Sequence, residues 1–234
     1  MIITGHKGLV GSHLIKELPG AEGLDIETGQ NILTCGLPDS NIVIHLAAHS
    51  SVVESVEDPL HDAMVNILGT IRLAKYYQNS RFIFASSGGT IQEKIVSPYG
   101  LSKFCAEEYI KLLCKDYVIL RFPNLYGSPD SRSVVDLFIK EPTPIIYGDG
   151  SQTRDYVHVV DIVEAIKQSM KWPPGTYHVG SGKYHSVSQL AEATGKKVTY
   201  SPARKGELLH TPTRNTTPDW VPKQDVIRYI KERI

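Results

Sequence analysis

The chain has 234 residues, with 25 Lys and Arg balanced against 25 Asp and Glu, so its formal net charge is zero. That length allows one sizeable core with a small lobe attached, and the balanced charge argues against a nucleic-acid surface, which needs clustered cations. No apolar run approaches the length that crosses a bilayer, and three cysteines without C-x-x-C spacing, Cys35, Cys105 and Cys114, fit a reducing, cytoplasmic setting better than a disulfide framework.

In chain order, "MIIT" predicts a strand that runs directly into a glycine turn, which leaves no room for a signal peptide. The turn, "GHKGLVGSHL", sets Gly5, Gly8 and Gly11 between strand and helix. Glycines there permit a tight turn and close approach of a pyrophosphate, and the helix start at Leu9 and Val10 offers unpaired amides at the positive dipole end. The helix ends before Pro19 and Gly20, and "EGLDI" follows as a second strand. Its end carries Asp25, a carboxylate placed to bind both ribose hydroxyls of NAD and to repel the 2′-phosphate of NADP. Lys7 pulls the other way, because a cation in the glycine loop suits a 2′-phosphate.

"NIVIHLAA" is a continuous apolar run, as expected of a strand buried on both faces. A helical pattern runs from Pro59 to Tyr77, followed by "RFIFASS" as another strand. In "SPYGLSKFCAEEYIKLL", Ser97 and Pro98 predict an N-cap and a first helical position, with an apolar stripe at Leu101, Cys105, Ile110 and Leu113. Tyr99 and Lys103 stand four apart, on one helix face. "YVILRFPNLYG" is a further strand running into a loop. This alternation implies an α/β fold, a Rossmann-type doubly wound parallel sheet. From about Ser128 prolines and glycines break the chain into short pieces, although "VVDIVEAIKQSM" and "TYHVGSG" again read as helix and strand. The expected division is a core of residues 1–127, completed by about 156–182, and a small C-terminal lobe made of 128–155 and 183–234.

Eight segments in order, "TGHKGLVGSHL", "IHLAAHSSVVESVEDP", "VNILGT", "FASSGG", "YGLSK", "RFPNLYG", "YGDGSQTRDYVHVVDIVEAI" and "YHVGSG", resemble the extended short-chain dehydrogenase/reductase family. Within it, the resemblance is to the NAD-dependent epimerases and dehydratases of nucleotide sugars. It implies NAD as cofactor, a UDP-sugar or related nucleotide sugar as substrate, and 4-epimerisation of a UDP-hexose through transient oxidation at C4. By the same resemblance Tyr99 is the acid/base, Lys103 its partner on the nicotinamide ribose, and Ser87 the hydroxyl on the reacting sugar oxygen. Leu46, Ala47 and Ala48 lie along the cofactor, with Asn66 after them. Asn124, Arg154 and Arg204 meet the nucleotide diphosphate, and helices near 60–77 and 99–114 build a homodimer. The chemistry is consistent with these roles. A free tyrosine titrates near 10, so a cationic lysine and nicotinamide are needed to favour its phenolate, and guanidinium forks suit phosphate oxygens.

The departures define the alternatives. Twelve positions separate Ser87 from Tyr99, without the family's V-Y-G, so Ser86 or Thr90 could take the place of Ser87. Asn31 and Ile32 stand where an Asp-Ile pair often contacts adenine, and only thirty positions separate Asn124 from Arg154, a trimmed lobe. "SSGGT" lacks the carboxylate of the dehydratases, leaving Glu93 as the nearest acid. An NADPH-dependent reductase and a non-catalytic dinucleotide sensor are the other readings. No metal site is expected: His45 and His49 fall on a strand end and a loop, outside helical ligand spacing. His158 reads as a packing residue, and Trp172 and Trp220 as core or lobe contacts.

Overall fold

The computed structural model describes residues 1–91, 95–128, 131–203, 209–211 and 214–234. The chain opens with β1 (Ile2–Thr4), α1 (Leu9–Glu17), β2 (Glu22–Leu24) and β3 (Ile42–His45). Two short helices follow, α2 (Val52–Glu57) and α3 (Pro59–Ala63), then α4 (Thr70–Tyr76) and β4 (Arg81–Ser87). Next come α5 (Pro98–Leu113), β5 (Asp116–Phe122), β6 (Asn124–Tyr126), α6 (Val134–Lys140), β7 (Ile145–Tyr147) and β8 (Thr153–His158). The rest is α7 (Val159–Ser169), β9 (Gly175–His178), β10 (Tyr184–Ser186), α8 (Val187–Thr194), β11 (Thr199–Ser201) and α9 (Val226–Lys231).

Six strands form one parallel sheet in the order β2-β1-β3-β4-β5-β9. Successive side chains leave a strand on opposite faces, and the apolar runs divide accordingly. Ile44, Ile83, Val118 and Leu120 join one core cluster with Leu14, Ile162 and Ile166 of α1 and α7. Val43, Phe82, Phe84 and Ile119 join the other, with Leu73, Ala106 and Ile110 of α4 and α5. Both faces are covered by helices, as a parallel sheet requires. The order reverses between β1 and β3, which opens a crevice at the carboxyl ends of those strands.

Two smaller sheets, β10-β8-β6 and β11-β7, stand beside the large one. Tyr126, Phe138, Ile146, Tyr156, Leu190 and Ile230 pack there into a third cluster. At the start of α6, Asp136 accepts hydrogen bonds from the Gly127 amide (3.1 and 3.2 Å) and the Ser133 hydroxyl (2.7 Å). At its end, Lys196 Nζ donates to the carbonyls of Phe138, Ile139 and Glu141, satisfying orphan acceptors of the last turn. No helix of the described residues is long and apolar enough to cross a membrane.

Three expectations are corrected. The pattern from Pro59 to Tyr77 is not one α-helix, because Met64–Gly69 widens into a π segment. Within it the Asn66 carbonyl accepts from the Thr70 hydroxyl at 2.6 Å, a side-chain bond that competes with the helical ladder. Such widened turns often mark functional positions. Leu101 is 52% exposed, so the apolar stripe of α5 does not define its inner face. That face is Ser102, Lys103, Ala106, Glu107 and Ile110, two of them charged. The strand of "YVILRFPNLYG" is β5, but the stretch after it is not all loop, because Asn124–Tyr126 forms β6, paired with β8 in the lobe.

Candidate active site

The glycine turn is shaped by its neighbours. Gly5 has φ +72°, and a Cβ on it would fall 2.6 Å from the Ala47 amide nitrogen. A Cβ on Gly11 would fall 2.1 Å from the Gly5 carbonyl oxygen. Glycine therefore lets the turn, the Leu46–Ala47 segment and the first turn of α1 meet backbone to backbone. Gly8 caps α1 without a side chain, so no cap side chain competes for the first-turn amides of Leu9 and Val10. Asp25 is buried and fixes the rim: one carboxylate oxygen accepts the Lys7 amide at 2.8 Å and the other the Glu27 amide at 3.0 Å. Each oxygen has a second lone pair for a hydroxyl. The Lys7 side chain is exposed at the same rim. An amide-rich, close-approach loop beside a carboxylate fits the pyrophosphate and ribose of NAD.

Beneath this rim His45 is 1% exposed and joins three elements. Its Nδ1 lies 2.7 Å from the Thr4 hydroxyl and its Nε2 3.0 Å from that of Thr70. Thr70 donates its proton to the Asn66 carbonyl, so His45 Nε2–H must be the donor to Thr70 and Nδ1 the acceptor from Thr4. Burial, helped by the nearby Lys103 charge, lowers the His45 pKa to about 3. The folded ring stays neutral, whereas an unfolded histidine binds a proton below about 6.5. Its contribution is complete above that pH and is lost as pH falls towards 3. Between pH 7 and pH 5 this linkage removes about 2 kcal/mol of stability. In urea titrations at both values His45→Gln is expected to lose that part of the pH slope; an unchanged slope would show that the folded ring accepts protons.

The sequence-predicted catalytic groups come together at the carboxyl end of β4. The side chains of Ser87 and Tyr99 are hydrogen-bonded to one another. Ser97 sets this geometry by capping α5 through the Gly100 amide (3.1 Å), which starts the helix just ahead of Tyr99. Lys103, one turn on, is 3% exposed, with its ammonium 4.3 Å from the centre of the Phe84 ring. Burial raises the Tyr99 pKa to about 12, opposed by the Ser87 hydrogen bond and reinforced by Asp62. Burial lowers that of Lys103 to about 7, against the raising effects of Glu107 and Asp62.

The geometry also separates the three hydroxyls that the sequence left open. Ser86 donates to Glu107 at 2.5 Å and Thr90 to the Ser87 carbonyl at 2.8 Å, both buried and committed away from Tyr99. Ser87 is the one on Tyr99. Glu107 escaped the sequence reading; its signal was the i,i+4 spacing from Lys103. It is 0% exposed and takes Arg121 as a bidentate partner (2.9 and 2.6 Å). Asn66 clamps the loop after β3, accepting the His49 amide and donating to the His49 carbonyl, each at 2.9 Å.

A cavity of about 500 Å³ opens between α6, β7 and β8. It is lined by Asn124 and Arg154, together with Arg132, Tyr147 and Gln152, which the sequence reading did not single out. Arg204 and Glu93 lie outside the described residues.

The sequence model of the NAD dependent epimerase/dehydratase family matches residues 22–180. The chain belongs to that family. The UDP-glucose 4-epimerase of Mycolicibacterium smegmatis is 28% identical over 281 residues, covering 92% of this chain and 90% of that one. The crystal structure of the Thermotoga maritima UDP-glucose 4-epimerase with UDP-glucose is similar with a TM-score of 0.87 at 28% identity, over 99% of this chain and 96% of that one. The Thermus thermophilus UDP-glucose 4-epimerase complex with NAD gives 0.81 at 28% identity, over 99% and 96%. As a member of the NAD dependent epimerase/dehydratase family, the chain is an NAD-dependent enzyme built on the Rossmann-type sheet.

Proposed function

We propose that this enzyme is a nucleotide-sugar 4-epimerase that interconverts UDP-galactose and UDP-glucose. The observation that carries the reading is the Ser87–Tyr99 hydrogen bond, one helical turn from Lys103 and at the same carboxyl end of the parallel sheet as the glycine turn. Tyr99 takes the proton of the sugar C4 hydroxyl and returns it, while Ser87 holds the same oxygen. Lys103 supports the phenolate and the nicotinamide ribose. Bound NAD supplies reversible hydride acceptance at C4, with Gly5, Gly8, Leu9, Val10, Gly11 and Asp25 holding its pyrophosphate and adenosine ribose. Leu46, Ala47 and Ala48 would lie along it, with Asn66 after them.

For the face of C4 to change, the keto sugar must turn while the nucleotide stays fixed. The cavity lined by Asn124 and Arg154 is assigned that grip on the diphosphate, and Arg204 is assigned to the same diphosphate. The lobe segments 128–155 and 183–234 thus hold the nucleotide, and the core holds the cofactor. A second copy of the chain covers the exposed apolar face of α3 to α5, where Leu60, Met64, Leu68, Tyr109 and Leu112 stand out. Unpaired Cys35, Cys105 and Cys114 support a cytoplasmic setting.

The test is conversion of UDP-galactose to UDP-glucose by the purified protein with NAD and no net oxidant or reductant. Product formation is expected; no conversion by a protein that binds NAD would remove this substrate pair and turn the search to N-acetylated and other nucleotide sugars.

A further inference from the structure

Asp62 is a carboxylate that neither the glycine turn nor the hydroxyl pair accounts for. It lies on α3 and is 1% exposed. Burial of a charge is costly unless partners compensate it, yet only one of its oxygens is engaged. Oδ1 accepts from Asn66 Nδ2 at 2.9 Å and lies 3.4 Å from His49 Nδ1. Oδ2 is buried with no hydrogen-bond partner among the described residues. Asn66 Nδ2, with its protons on the His49 carbonyl and Asp62, lies 3.1 Å from the Ser102 hydroxyl, and that hydroxyl donates to the Tyr99 carbonyl at 3.0 Å. Asp62 and Ser102 share the wall of one cavity with Pro98 and Leu101, at the start of the helix that carries Tyr99.

We propose that Asp62 is a positioning residue for the hydride-transfer site: it holds Asn66 against the first turn of α5 and places a negative charge behind Tyr99 and Lys103. This rests on the functional reading above. An oxygen with no donor on it keeps its Coulombic reach in a low-dielectric interior. The charge acts on both members of the pair in one direction, opposing the Tyr99 phenolate and favouring the Lys103 ammonium. Burial alone would leave Lys103 neutral at working pH, without the cation that a phenolate needs. Asp62 and Glu107 stand against that from two sides. The other charged or titratable groups around Asp62 are His49, with Glu54 on its far ring nitrogen at 3.2 Å and His61 against its ring, and Arg132 beyond Glu54 at 3.5 Å.

The experiment is a pH titration of Lys103 by NMR of ε-carbon-labelled lysine in the purified NAD-bound protein, with Lys103→Arg assigning the resonance. Asp62→Asn is expected to move the Lys103 midpoint down by about one pH unit, and the alkaline limb of kcat with it. Asp62→Glu, which keeps the charge, is expected to leave the midpoint in place. If Asp62→Asn does not fold, Asp62→Ser carries the same expectation. A midpoint unmoved in the neutral variant, or moved equally by Asp62→Glu, would overturn the proposal whatever happens to kcat. The titration needs no turnover, so absent epimerisation with a moved midpoint refutes the substrate reading alone.

Discussion

Tyr99→Phe is expected to lower turnover of UDP-galactose about 10²–10⁴-fold, with KM little changed, because the variant loses one oxygen at the reacting centre and no recognition surface. The size of the effect follows from what surrounds the hydroxyl. Ser86 and Thr90 cannot replace it, since each already donates elsewhere, to Glu107 and to the Ser87 carbonyl. Ser87 is hydrogen-bonded to Tyr99, and an aliphatic hydroxyl gives up its proton far less readily than a phenol. With its pKa raised to about 12 by burial, Tyr99 depends on nearby positive charge to act as a base, which ties its activity to Lys103. Steady-state assays at saturating NAD measure the loss. A Phe variant retaining more than about a tenth of wild-type kcat, below the smallest loss general acid–base catalysis predicts, would place the proton transfer on another group.

The largest effect on stability is expected at Glu107→Gln, about 3–5 kcal/mol. Glu107 is fully buried, the Arg121 side chain is 14% exposed, and the pair is bidentate. Removing the charge strands a guanidinium against the core, and the same carboxylate also accepts from Ser86. These bonds tie α5, β4 and β5 together directly below Ser87 and Tyr99. Arg121→Met is expected to cost a similar amount. The Glu107→Met, Arg121→Met double variant should recover a large part of it, because two apolar groups of similar size leave no charge unpaired. Urea unfolding of the NAD-bound protein, with Glu107→Met as the other single variant, gives all four corners of the cycle. A single-variant cost under about 1 kcal/mol, the value of an exposed pair, would mean that water reaches this ion pair.

How much of this was legible beforehand depended on distance along the chain. Strand–turn–helix at Gly5, Gly8 and Gly11, the Ser97 cap, and Tyr99 over Lys103 were all readable in the sequence. Periodicity and capping act within one or two helical turns, and the residues that satisfy them are neighbours in sequence. The same local logic misled at Leu101, where an apolar spacing pointed to a core face that the tertiary fold leaves exposed. It also missed the π segment around Asn66, whose widened turn accompanies a side-chain bond from Thr70 rather than an apolar period.

The sequence by itself thus determined the parallel sheet, the glycine turn between β1 and α1, and the placing of Tyr99 and Lys103 one turn apart on α5. Only the tertiary structure decided which hydroxyl meets Tyr99, which carboxylates stand behind Lys103, and which residues share a cavity with Arg154. Glu107 meets Ser86 and Arg121 across two strands, and Asp62 reaches Ser102 through Asn66. Asn124 joins Arg154 because β6 pairs with β8. The cost or benefit of a buried polar group depends on what long-range packing puts against it, and no spacing along the chain encodes that.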